Sequence, residues 1–287
     1  MKTTCFDLTI EDHVANITLN RPEKRNAMVR EFWDELPALI RHIDSKSLAR
    51  VIVISSTGPH FTSGIDVNMF AKHGEQSTKS DPAQQKRQRI QHGADFYHRV
   101  KSMQETFTCL EQCRIPVLAA IQGGCIGGGV DLATACCIRY VTEDAFFTIF
   151  ETNIGMTADV GTFPRLAKLI PEGIVRELAY TGRRMPASEA HAVGLVNGVF
   201  PDQPTMMEGV MKVAREIAAK APMAVYGCKK MISHARDNPT AATLDYVGIW
   251  NASFLSLEEI GEAMSAQKDK RAPDFADLPP LQGAIGE

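Results

Sequence analysis

Two glycine-bearing turns and three carboxylates are the residues of this chain best suited to act together chemically. The segment GGCIGGGVD begins at Gly123 and carries five glycines in seven residues, with Asp131 at its end. It follows the strand-like run PVLAAI (116–121) and leads into Val130, Leu132, Ala133 and Ala135, so it reads as strand, tight loop and helix N-terminus. A helix N-terminus offers unpaired N–H groups and the positive end of a dipole. Glycine lets a ligand approach that backbone closely. The dinucleotide pattern GxGxxG fails at Leu132, and no Gly-Lys-Ser/Thr follows to make a phosphate loop. An oxyanion hole is the reading that remains, with close helix–strand packing as the plainer alternative. A second turn, FTSGIDVNMF (61–70), also follows a strand and sets Gly64 before Ile65 and Asp66, which supplies a second exposed N–H.

Acid–base chemistry at such a hole needs carboxylates nearby. The chain offers Asp131 just inside the glycine-started helix, Glu151 at the end of AFFTIF (145–150) and Asp159 in GMTADVGT. Each has a plainer use: Asp131 as charge on a first helical turn, Glu151 as a solvent-facing strand end, Asp159 as an N-cap before Thr162. Ser63 and Cys125 lie in the two turns, but no histidine stands at a recognisable partner spacing, which sets covalent catalysis aside.

The elements that must position these groups alternate. Strand-like runs at 5–10, 14–19, 51–56, 116–121, 138–142 and 145–150 are separated by helical patterns, which argues an α/β fold. Phe32, Leu36, Leu39, Ile40 and Ile43 recur at helical spacing, as do Phe96, Val100, Met103, Phe107 and Leu110, a helix that must end before Pro116. Residues 71–93 are polar and read as a surface insertion or loop leading into that helix. Beyond 185 the chain turns helical, at 205–221, 222–236, 239–252 and 256–268. We therefore expect a core at 1–200 and a helical extension at 201–287 within one structural unit.

Composition bounds the function. A chain of 287 residues that is 44% hydrophobic and 23% charged can bury a large core. Its net charge of -3 gives no reason to expect nucleic acid or an anionic membrane as partner, and Lys86-Arg87-Gln88-Arg89 reads as a solvated helix face. Seven cysteines without a CxxC pair indicate neither a disulfide framework nor a zinc site. No stretch approaches the roughly 20 apolar residues of a membrane span, and no apolar leader opens the chain. The cytoplasm is the expected location.

Taken in order, NRPEKRNAM (20–28), FTSGIDVNMF (61–70), IPVLAAIQGGCIGGGVDLATACCIRYVTEDAFF (115–147), ETNIGMTADVGTFPRL (151–166) and TGRRMPASEAHAVGLVNGVF (181–200) resemble the crotonase, or enoyl-CoA hydratase/isomerase, superfamily. The resemblance implies a spiral of ββα repeats closed by C-terminal helices that build trimers, paired into hexamers. It implies an acyl-CoA thioester substrate whose oxygen meets the N–H groups of Ile65 and Gly128. Coenzyme A, a part of the substrate, would lie along Arg21, Lys24 and Arg25 and along Ser63, Gly64, Ile65, Asp66, Val67 and Asn68, with Gly129 beside the thioester. No metal or separate cofactor is implied.

Hydratases of this family carry two catalytic glutamates. The first falls at Asp131, one methylene shorter, and the second at Glu151. Where hydratases have a GxGGT turn, this chain has Ala158-Asp159-Val160-Gly161-Thr162. The set Asp131, Glu151, Asp159 is similar to the dienoyl-CoA isomerase branch, which moves a 3,5-diene to the 2,4 position in unsaturated fatty acid β-oxidation. The resemblance makes Glu151 the base at the α carbon, Asp159 the acid at the ε carbon and Asp131 the group that orients or tunes them. A raised Asp159 pKa, from an apolar pocket and the neighbouring Glu151, is expected. A 2-enoyl-CoA hydratase is the alternative within the family, and a non-catalytic RNA-binding or scaffold paralogue the alternative outside it.

Overall fold

The computed structural model describes residues 3–71 and 81–282. It opens on an antiparallel hairpin, β1 (Phe6–Glu11) and β2 (Val14–Leu19), then α1 (Arg30–Ser45) and β3 (Val51–Ser56). There follow α2 (Asn68–Ala71), α3 (Pro82–Gln112), β4 (Val117–Ile121), β5 (Gly124–Ile126), α4 (Gly128–Ala135), β6 (Ile138–Thr142) and β7 (Phe146–Thr148). The chain continues through α5 (Thr162–Leu166), α6 (Glu172–Thr181), β8 (Met185–Pro186), α7 (Ala187–Ala192) and β9 (Gly198–Phe200). Four helices close it: α8 (Gln203–Ala218), α9 (Pro222–Asp237), α10 (Thr240–Phe254) and α11 (Leu257–Asp269).

The larger sheet has the order β1-β2-β3-β4-β6-β9, parallel from β2 onward, and β5-β7-β8 form a smaller one. Strand β3, VIVISS, is buried along its length because helices cover both faces of the sheet. Its residues alternate accordingly. Ile52 and Ile54 join the core with Phe32, Leu36, Leu39, Ile40 and Ile43 of α1, whereas Val51 and Val53 meet Met206, Val210, Ala214 and Ala218 of α8. Those four α8 residues recur every fourth position, one stripe of a helix, and Asp202 caps its start by accepting from the Thr205 N–H at 2.8 Å. The first helix of the extension is thus a layer of the core. The ββα order expected from the sequence is present in β1-β2-α1 and β4-β5-α4, and the α/β class holds.

Differences from the sequence reading concern edges. AFFTIF leaves the extended conformation after Thr148, because Phe150 is in the helical region and Glu151–Ile154 form a 3-10 turn closed by a left-handed Gly155. The strands β5, β8 and β9 were not expected; each has three residues or fewer and exists through pairing. Helix α3 already begins at Pro82, inside the segment expected as a loop, while residues 72–80 lie outside the described residues. Its apolar stripe is buried only at its C-terminal end, at Phe107 and Leu110, and Phe96 is 44% exposed. The first half of α3 stands clear of the body, with Lys86 to Arg89 in solvent as expected. Among the described residues no helix is long and apolar enough to cross a membrane.

Candidate active site

The two glycine turns are joined through main-chain hydrogen bonds. Thr62 N–H donates to the Gly124 carbonyl at 3.1 Å and Ile126 N–H to the Thr62 carbonyl at 3.2 Å. Met28 then pairs with the other side of the turn, donating to the Gly64 carbonyl at 2.8 Å and accepting from Asp66 N–H at 3.1 Å. Gly64 has φ +82, and a Cβ there would lie 2.7 Å from the Ile126 carbonyl oxygen and 3.4 Å from Gly128 N, so only glycine permits the approach. Ile65 is thereby brought against Gly128, the first residue of α4. Neither the Ile65 nor the Gly128 N–H enters a hydrogen bond among the described residues. Two free donors on adjoining turns are what a developing oxyanion requires.

Asp131 lies on the first turn of α4, a helix buried at every residue. Its Oδ1 has no hydrogen-bond partner. Burial first, and the Glu151 carboxylate second, push its pKa to about 7, against a pull downward from Thr162, which faces it across the packing of α4 on α5. Glu151 opens the 3-10 turn, and its Oε1 lies 3.0 Å from where a Cβ on Gly127 would be. Gly127 is the N-cap of α4 at φ +53, so the glycine turn and the carboxylate touch. Burial raises Glu151 as well, Asp159 adds to the rise, and its Oε2 is also unpartnered. Asp159 lies on the loop before α5, where burial raises its pKa and where Gly161, not Asp159, is the N-cap. The electrostatic order is therefore Asp131, Glu151, Asp159, with Glu151 in the middle. The strongest displacement falls on Asp131 rather than on Asp159, because Asp131 is sealed in a helix at 1% exposure.

The remaining sequence-derived positions meet on the two loops ahead of this site. Arg21 donates from Nη1 to the Ala27 carbonyl at 2.9 Å, and exposed Lys24 and Arg25 end the 3-10 turn Pro22–Lys24. Ser63 N–H reaches the Arg25 carbonyl at 2.9 Å and ties the loops together. Asp66 accepts from Asn68 N–H at 2.9 Å and starts α2, beside exposed Val67 and Asn68. On Gly129 the position a Cβ would take faces Thr62 Cγ2 and Cys125 Sγ, in the close packing of α4 on the neighbouring turn.

Three supporting residues have partners that the sequence does not show. Buried Asn26 accepts from Arg21 N–H at 2.8 Å and donates to the carbonyls of Thr57 and His60, which fixes the first loop. Thr62 Oγ1 donates to the Asn26 carbonyl at 2.7 Å. Thr162 faces Asp131. All three stand inside or beside motifs visible in the sequence, but their partners are distant along the chain.

Among the described residues no cluster of His, Cys, Asp or Glu could hold a metal ion. The enoyl-CoA hydratase/isomerase family model matches residues 9–278. The chain is 43% identical to the mitochondrial delta(3,5)-delta(2,4)-dienoyl-CoA isomerase of Rattus norvegicus over 93% of its length and 81% of the relative's. It is 40% identical to the peroxisomal delta(3,5)-delta(2,4)-dienoyl-CoA isomerase of Arabidopsis thaliana, over 93% and 94% of the two chains. A crystal structure of an enoyl-CoA hydratase from Bacillus anthracis superposes with a TM-score of 0.82 at 28% identity, covering 95% of this chain and 99% of the other. The relatives' mitochondrial and peroxisomal names overturn the cytoplasmic expectation. Composition speaks to membrane spans and secretion, not to which aqueous compartment holds a protein. With the turns, the carboxylates and the ββα core in one frame, and a family match over nearly its whole length, this chain belongs to the enoyl-CoA hydratase/isomerase family.

Proposed function

We propose that the chain is an isomerase that converts 3,5-dienoyl-CoA to 2,4-dienoyl-CoA through a dienolate, as suits the oxidation of unsaturated acyl chains. The observation that carries this reading is the third carboxylate: Asp159 stands half-buried near enough to Glu151 for the two carboxyls to interact, and burial raises its own pKa toward the range of an acid. Shifting two conjugated double bonds removes a proton at the α carbon and adds one at the ε carbon, too far apart for one carboxylate to serve both. Glu151 takes the first proton and Asp159 gives the second. Asp131, with its pKa near 7, holds a proton for much of the time, and this spares Glu151 a negative neighbour. The charge of the dienolate collects on the thioester oxygen, which the Ile65 and Gly128 N–H groups receive. Each such donor lowers the barrier by about 3–4 kcal/mol.

Coenzyme A would run along Arg21, Lys24 and Arg25 and along Ser63 to Asn68. The reaction moves only protons, so the reading requires no metal or redox cofactor. Exposed Leu244, Ile249, Phe254, Leu257, Ile260 and Met264 on α10 and its neighbour α11 support a homo-oligomer, a trimer or a hexamer of paired trimers. Sedimentation as a stable monomer would contradict that assembly.

The test is a paired assay on purified protein. Rapid formation of the conjugated 2,4-dienoyl chromophore from 3,5-octadienoyl-CoA, with negligible hydration of crotonyl-CoA, is the expected result. Hydration without isomerisation would make the chain a 2-enoyl-CoA hydratase.

A further inference from the structure

Asp159 has to aim a carboxyl at a distant carbon from a loop, between Ala158 and Val160, whose side chains are packed in the core. A cavity of about 360 Å³ lies along the back of the loop, lined by Gln104, Glu111, Asp159, Gly161 and Arg165 among others. Ala158 and Val160 anchor the turn in the apolar core, and on the cavity side polar ties fix Asp159 between them. Those ties come from one face of α3. Gln104, Thr108 and Glu111 are spaced by four and three residues, which sets them in a row along a helix. Glu111 accepts from Arg165 Nε at 2.7 Å and Thr108 Oγ1 from Arg165 Nη2 at 3.2 Å. These two contacts grip α5, just after the turn. The guanidinium of Arg165 in turn fills the space that a Cβ on Gly161 would need.

Gln104 reaches the turn itself. Its Nε2 donates to the main-chain carbonyl of Asp159 at 2.7 Å. The orientation of that amide is set from its other end, where Lys101 Nζ lies 3.0 Å from Oε1. An ammonium group only donates, so the amide oxygen must face Lys101 and the NH₂ must face Asp159. The relay Lys101, Gln104, Asp159 carbonyl is a directed chain of hydrogen bonds ending on the residue whose side chain does the chemistry.

We propose that Gln104 is a positioning residue for Asp159, holding the carbonyl of the turn so that the carboxyl meets the ε carbon of the substrate. This rests on the isomerase reading above and names a residue that reading does not use. Misplacing a reacting group by about 1 Å costs up to a hundredfold in rate. Loss of one of several ties on a turn that keeps the Arg165 grip should cost about tenfold.

The experiment compares Gln104→Met, which keeps side-chain length and removes the donor, in the wild-type and Asp159→Asn backgrounds, with 3,5-octadienoyl-CoA as substrate. In the wild-type background kcat falls about tenfold with KM within about twofold. In the Asp159→Asn background, assayed at high enzyme concentration, the same substitution changes the residual rate by less than about twofold, because no carboxyl is left to aim. Lys101→Met, on the exposed side of α3, gives a smaller loss of kcat with the same dependence on Asp159. It keeps the test open should Gln104→Met fold poorly. Equal losses in both backgrounds, a rise in KM at unchanged kcat, or wild-type turnover in both variants would overturn the proposal. A wild-type protein inactive on the dienoyl-CoA would instead sink the isomerase reading, and this inference with it.

Discussion

The two halves of the site are built from different material. On one side, the turns around Gly64 and Gly128 are tied by main-chain hydrogen bonds from Thr62, Ser63, Asp66 and Ile126, and the free N–H donors belong to the backbone. On the other, Asp131, Glu151 and Asp159 come from a buried helix, a 3-10 turn and a loop, and they interact through side-chain charge and burial. The first half is specified by where a Cβ cannot go, and the second by which side chain is present. Substitutions should therefore act in opposite ways on the two.

The largest effect falls on the side-chain half. Glu151→Gln keeps the shape and removes the base, so kcat for dienoyl-CoA isomerisation should drop about 10³–10⁴-fold with KM little changed, as steady-state kinetics would reveal. Asp131→Asn tests the electrostatics of the same half through stability. The folded carboxyl holds its proton to about pH 7, whereas an unfolded one releases it near pH 4. Unfolding between those values releases a proton, so this group's contribution is complete below about pH 4 and is lost as pH rises through 7. Relative to wild type, Asp131→Asn should gain on the order of 3–4 kcal/mol between pH 4 and pH 8 in urea unfolding. A constant difference across that range would mean that Asp131 is not held protonated.

The backbone half should answer to conformation. Gly127→Ala forces a left-handed φ of +53 on alanine and sets a methyl 3.0 Å from Glu151 Oε1, where the two halves touch. We expect about 1–3 kcal/mol lost in thermal unfolding, with kcat reduced by up to about a hundredfold. Ile65→Ala keeps the N–H and alters only the side chain, so kcat should change by less than about threefold. A much larger loss would show that the Ile65 side chain, and not its backbone, matters.

The same contrast explains what was legible in the sequence. Glycines at Gly64 and Gly127 to Gly129, and the alternation that buries VIVISS and the α1 stripe, are local signals, so the turns and central strands are readable. The three carboxylates are readable as residues but not as a ranked set. Asp131 exceeds Asp159 in pKa displacement because α4 is sealed by α5 and the Glu151 carboxylate stands near, and those meetings are tertiary. Gln104 is hidden for the same reason: 55 positions separate it from Asp159, and a glutamine on a helix carries no mark of its partner. The short strands β5, β8 and β9 hold too few residues to show a period. Compartment is not written in composition at all, as the relatives' names made plain.

The role of the third carboxylate is tested most directly by the paired assay repeated on Asp159→Asn. Conversion of 3,5-octadienoyl-CoA should fall about 10²–10⁴-fold while crotonyl-CoA hydration stays at its low wild-type level. Isomerisation at an undiminished rate would contradict that role, because the third carboxylate would then be a structural residue of the turn and not the acid at the ε carbon.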